Sequence, residues 1–147
     1  MRKLLHASVA ITTLSVPSIA AADSTPLSIG QLQFETVHEV AERNILARDD
    51  ANKPLVALLK LGNGDVLPPH GEDGGVRLLT VISGALSWGD GSELDPHEER
   101  IFGAGTLLVI SAKNGAHWAA ARNGDVLLQV VFVRDGILAP EAAAQLK

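Results

Sequence analysis

A chain of 147 residues, 46% hydrophobic and 20% charged, has the length of one domain and enough apolar side chains for a core, which excludes an intrinsically disordered chain. A formal net charge of −5, with no Lys/Arg-rich run after the first residues and no basic amphipathic helix, excludes the electrostatic footprint of a nucleic-acid or membrane-surface binder. The chain has no cysteine, so disulfides, thiolate metal sites, a cysteine nucleophile and a lipid-modified N-terminal cysteine are excluded as well.

Residues 1–22 read as a cleavable signal peptide. Arg2 and Lys3 give the positive start, and Leu4 to Val16 an apolar run that Pro17 breaks. Ala20-Ala21-Ala22 offers small residues for the peptidase, with Asp23 as the new N-terminus. A membrane span needs about 20 apolar residues. This run is shorter and carries His6, Thr12, Thr13 and Ser15. Cleavage removes two basic residues, leaving ten against seventeen acidic ones and a net charge of −7. The expectation is a periplasmic or secreted protein with no membrane contact after cleavage.

Residues 23–53 read as an N-terminal extension. Phe34 to Val37 suits a strand, Glu39 to Ala47 a short helical or irregular segment, and Asn44 to Pro54 a surface loop. From Pro54 short apolar runs alternate with turn residues, the pattern of an all-β barrel or sandwich over residues 54–135. Strands are expected at 55–61, 76–83, 85–88, 100–102, 106–110, 117–121 and 125–133. Turns are expected at Gly62-Asn63-Gly64, Ser83-Gly84, Gly89-Asp90-Gly91, Gly103-Ala104-Gly105, Lys113-Asn114-Gly115 and Arg122-Asn123-Gly124. In the tail, residues 136–147, Pro140 is placed to open a short Ala-rich helix.

The residues with chemistry are few. On a strand, positions two apart share a face, so His70 and Glu72 would project together as two ligands of one metal. His117, from a later strand, could supply a third. Two imidazoles and a carboxylate suit Fe, Mn, Ni or Zn and leave coordination positions open. His97, in LDPHEER, reads as solvated, and His38 as exposed on an edge strand. Trp118 points away from His117 and reads as packing or a subunit contact, while Trp88 reads as core or pocket wall. No Gly-x-Ser-x-Gly elbow is present, and the glycine clusters are turns between strands rather than phosphate loops.

The stretch Gly64 to Gly84, GDVLPPHGEDGGVRLLTVISG, resembles the first cupin motif: Gly, five residues, His-x-His, three or four residues, Glu, six residues, Gly. The stretch Gly105 to His117, GTLLVISAKNGAH, resembles the second. There Ser111 stands where Pro is usual, His117 comes one residue later than in the commonest form, and the final Asn is unmatched. The resemblance covers Pro54 to Val133. It implies a double-stranded β-helix, the cupin or jelly-roll barrel, with dioxygenase, isomerase or lyase chemistry on a small molecule, and a homodimer paired through sheets. Cupins commonly hold a metal with two His and a Glu from the first motif and a His from the second. His70 and His117 are kept here, the second His is Glu72, and the Glu is Arg77.

Arg77 shares a strand face with Leu79 and Val81, so it needs a partner if that face is interior. Two readings follow. In one, His70, Glu72 and His117 bind a divalent metal, and Arg77 anchors a carboxylate or phosphate of the substrate. In the other, Arg77 pairs with Glu72 in place of the metal, and the barrel is a metal-free module or sensor for a small ligand.

Overall fold

The computed structural model describes residues 23–71, 75–111, 115–134 and 136–146. The expected leader over 1–22 and Glu72 lie outside them, as do Lys113 and Asn114 of one expected turn. Two units are distinguished, Met1–Gly30 and Gln31–Lys147. In the first, residues 23–28 are irregular and exposed. A 3-10 turn follows at Ile29–Gln31. All described strands belong to the second.

In chain order the strands are β1 (Glu35–Val37), β2 (Ala41–Arg48), β3 (Pro54–Leu61), β4 (Val66–His70), β5 (Val76–Ser83), β6 (Ala85–Asp90), β7 (Arg100–Gly103), β8 (Leu107–Ile110), β9 (His117–Ala120) and β10 (Val126–Arg134). They build two antiparallel sheets, six strands in the order β1-β2-β3-β10-β5-β8 and four in the order β4-β9-β6-β7. The only described α-helix, α1 (Pro140–Ala143), starts at the proline. This is the all-β architecture with a short terminal helix that the sequence predicts.

Alternation explains the packing. Along β5 burial alternates residue by residue, with Arg77, Leu79 and Val81 buried. The core draws on both sheets: Leu61, Leu79, Val81, Leu128 and Val130 from the larger, Leu67, Leu86, Trp88 and Ala119 from the smaller. Burying each such side chain stabilises the fold by about 1.5–3 kcal/mol before the entropy of ordering it.

Two strands depart from the sequence reading. Ala41–Arg48 is a strand, where Glu39 to Ala47 reads as helical or irregular. Its Glu, Leu, Ala and Arg favour helix only weakly, and β2 has a strand on each side, β1 and β3, whose pairing overrides that preference. The strand β4 contains Pro68 and Pro69 yet pairs with β9. Proline lacks an N–H, and β4 lies at a sheet edge, where none is required on the open side.

Candidate functional site

Between the two sheets lies a cavity of about 170 Å³. Most of its wall is apolar, including Leu67, Leu79, Leu128, Val130 and Phe132. Its polar lining is basic: His38, Arg43, His70, Arg77 and His117, with no acidic side chain among the described residues around it.

Each of these groups is placed by a strand. Arg77 enters from β5, flanked in register by Ile110 of β8 and Phe132 of β10. His117 opens β9 opposite His70, the last residue of β4. The β4–β9 register slips between Leu67 and His70, so these residues, three apart, both line the cavity. Simple alternation would have sent one of them outward. The His70 and His117 rings meet edge to face with centroids 4.4 Å apart. Trp88 stacks on His117 at 4.4 Å. His38 follows β1 in a turn, and its ring lies 5.0 Å from that of His70.

The structure thus brings together His70, His117 and Arg77, three of the four residues singled out from sequence. The fourth, Glu72, is outside the described residues. His97 is exposed in the segment between β6 and β7. Trp118 is buried on the opposite face of its strand from His117, against Gly89. Sequence reasoning missed His38. It is exposed, as expected, but its ring caps His70 from a turn with φ of 50° at His38 and 68° at Glu39, and no strand periodicity signals such a turn.

Hydrogen bonding fixes part of the chemistry. His70 Nδ1 is 2.8 Å from the Pro68 carbonyl. A carbonyl only accepts, so Nδ1 carries the proton and Nε2 the lone pair. Arg77 Nη2 donates to the Gly71 carbonyl at 2.7 Å. Arg77 Nε and His117 Nδ1 are buried without a hydrogen-bond partner among the described residues. Beyond Trp88 and His117 a second cavity of about 320 Å³ has a mixed lining that includes Asp90, Arg100, Leu108 and Ile110. There Trp88 Nε1 donates to Asp90 Oδ1 at 2.9 Å, and Asp90 pairs with Arg100.

Burial pushes the His117 imidazole down to about 3, helped by His70 and Arg77 and opposed by Asp90. His70 is also lowered, first by burial and then by His38 and Arg77, against the raising effect of the Pro68 carbonyl. Burial lowers Arg77 too. Both imidazoles are therefore neutral at pH 7. Each can offer a lone pair or donate one N–H.

Neutral imidazoles are what a divalent metal requires, and the His70–Pro68 contact is the outer-shell bond typical of a ligating histidine. The set is nevertheless incomplete. No group of three or more His, Asp or Glu side chains among the described residues is arranged to hold a metal. The fixed charge beside the two imidazoles is a cation, Arg77. The described residues alone do not fit a divalent ion, and the third ligand would have to come from outside them, from Glu72 or Asp73.

No family model and no curated protein matches the chain. Solved structures do. A predicted oxalate decarboxylase from Thermotoga maritima is similar at 16% identity and a TM-score of 0.56, over 69% of this chain and 92% of that one. A cupin superfamily protein from Desulfitobacterium hafniense matches at 18% identity and 0.52, over 76% and 93%. The fold is that of the cupins. A chain in the complex of Rhodobacter sphaeroides SigE with the anti-sigma ChrR matches at 22% identity and 0.54, over 71% of this chain, which spans half of that one's length. At such identities it is the cupin fold that is shared, so the chemistry rests on the cavity itself.

Proposed function

We propose that this cupin-fold chain takes a small organic anion into its barrel, with Arg77 as the charged anchor. One observation carries the reading: a buried guanidinium lines a cavity with no acidic side chain among its described lining, and its Nε–H has no partner among the described residues. Leaving such donors unpaired in a low-dielectric interior is costly, and an anionic ligand removes that cost. The other cation of the lining, Arg43, is already paired with Glu35 at 2.6 Å. In this reading the first 22 residues direct the protein out of the cytoplasm, and the ligand is met there.

Trp88 reports on the site, because it stacks on His117 in the cavity wall. Titrating the protein with small organic anions should change tryptophan fluorescence saturably, and 0.5 M salt should weaken the response. The Arg77→Met variant should lose it. An unchanged response in that variant would remove Arg77 from the site.

A second reading places a divalent metal on His70, Glu72 and His117. It is favoured by the His70 tautomer, whose Nδ1–H is held by Pro68 and whose Nε2 lone pair is left for a ligand bond. Such a metal would supply Lewis-acid or oxygen chemistry of the dioxygenase or isomerase kind. Elemental analysis of protein refolded with zinc or iron tests it. Stoichiometric metal in the unaltered protein supports it, and uptake only in Arg77→Glu refutes it.

A further inference from the structure

The ligand class can be named more closely, resting on the anion reading above. We propose that the cavity selects a monocarboxylate with a compact hydrocarbon body of about six carbons.

Charge sets the first limit. Arg43 is neutralised by Glu35, so Arg77 is the one arginine of the lining without a carboxylate partner among the described residues. A monoanion balances it. A phosphate dianion would bring a second charge into a lining whose other described arginine, Arg43, is already paired with Glu35, at heavy desolvation cost.

Donor geometry sets the second. Gly71 has φ of 98°, a conformation L side chains rarely adopt. A Cβ at this position would lie 2.5 Å from His117 Cε1 and 3.0 Å from Arg77 Nη2, so only glycine lets both side chains come this close to the backbone. Glycine thus lets the Arg77 and His117 side chains converge at the end of β4. His117 Nδ1 and Arg77 Nε have no partner among the described residues. A carboxylate, with two oxygens about 2.2 Å apart on one carbon, can accept from both side chains at once. The negative end of the ligand therefore sits at Arg77 and His117.

Volume and lining set the third. Apart from these groups the wall is mostly apolar and includes Leu67, Leu79, Leu128, Val130 and Phe132. A cavity of about 150 Å³ with such a lining holds benzene, and this one is about 170 Å³. The body that fits is a ring or branched chain of about that size, without polar groups.

The test is calorimetric titration of the whole protein with benzoate, acetate, inorganic phosphate and uncharged benzamide, repeated on Arg77→Met. Benzoate binding at least tenfold tighter than each of the others, with that preference lost in Arg77→Met, is the expected result. If acetate or phosphate equals benzoate and Arg77→Met abolishes their binding, the anion reading stands and the hydrocarbon class is overturned. If benzamide equals benzoate, or nothing binds, the anion reading falls and takes this inference with it. The ligand series in the unaltered protein decides the class without the variant.

Discussion

Replacing Arg77 by methionine should make the ligand-free protein more stable. Arg77 is 9% exposed and makes one hydrogen bond among the described residues, to the Gly71 carbonyl. Burying an ion costs several kcal/mol even after relaxation, and one charge-assisted hydrogen bond returns about 1.5–3 kcal/mol of that. Methionine is unbranched, fills irregular space, and would pack on the Leu79 and Phe132 side of the cavity. The variant leaves the Gly71 carbonyl without its donor, for about 1 kcal/mol. The balance is a gain of about 1–3 kcal/mol, or roughly 4–10 °C in melting temperature for a domain of this size. Urea unfolding followed by tryptophan fluorescence, with calorimetry for the melting temperature, measures it. A loss of more than about 1 kcal/mol would refute the reasoning. Breaking a buried ion pair costs about 3–5 kcal/mol, so that result would mean a carboxylate already holds the guanidinium, as in the Arg77–Glu72 pairing that the sequence also allows. The two accounts differ in sign.

Acid should weaken the fold through its buried imidazoles. Above pH 6.5 His117 is neutral in both folded and unfolded chains and adds no pH dependence. Below it the unfolded chain takes up a proton that the folded one, held near 3, refuses. Stability therefore falls by about 1.4 kcal/mol per pH unit between 6.5 and 3, with His70 acting in the same direction. Urea midpoints should drop by the equivalent of about 2 kcal/mol from pH 7.5 to pH 5, and a flat profile would contradict the burial of His117. Gly89→Ala should cost about 1–3 kcal/mol by overpacking. Its Cβ would lie 2.2–2.4 Å from the Trp118 ring, and an unchanged thermal midpoint would mean that Trp118 is not seated there.

Most of the barrel was legible because short apolar runs end in glycine turns, and β5 and β10 add period-two burial. Val76 to Ser83, which alternates and ends at Gly84, is an instance. Ala41–Arg48 was not legible, since its residues suit a helix and only pairing with β1 and β3 makes them a strand. At the site, the motif spacing was enough to join His70, Arg77 and His117 across three strands. The contact of His38 with His70 depends on two consecutive left-handed residues, neither of them glycine. Nothing in a run such as ETVHEV marks that geometry. The inward turn of His70 depends on the register slip after Leu67, a property of the pairing rather than of either strand.

The sign of one side chain governs what this cavity can hold. The cupin motif places a glutamate where Arg77 stands. A carboxylate there draws a cation toward the two imidazoles, and a guanidinium repels it. At about 5 Å and an effective dielectric near 20, a dication and a guanidinium repel by about 7 kcal/mol. Two imidazoles would have to overcome that before any net affinity appeared, so a metal here depends on a further negative ligand, the role left to Glu72. An anion faces no such opposition, because neutral His70 and His117 do not compete with it for the charge of Arg77 and His117 can add a donor. The same histidines thus serve either ligand, and Arg77 tips the choice toward the negative one.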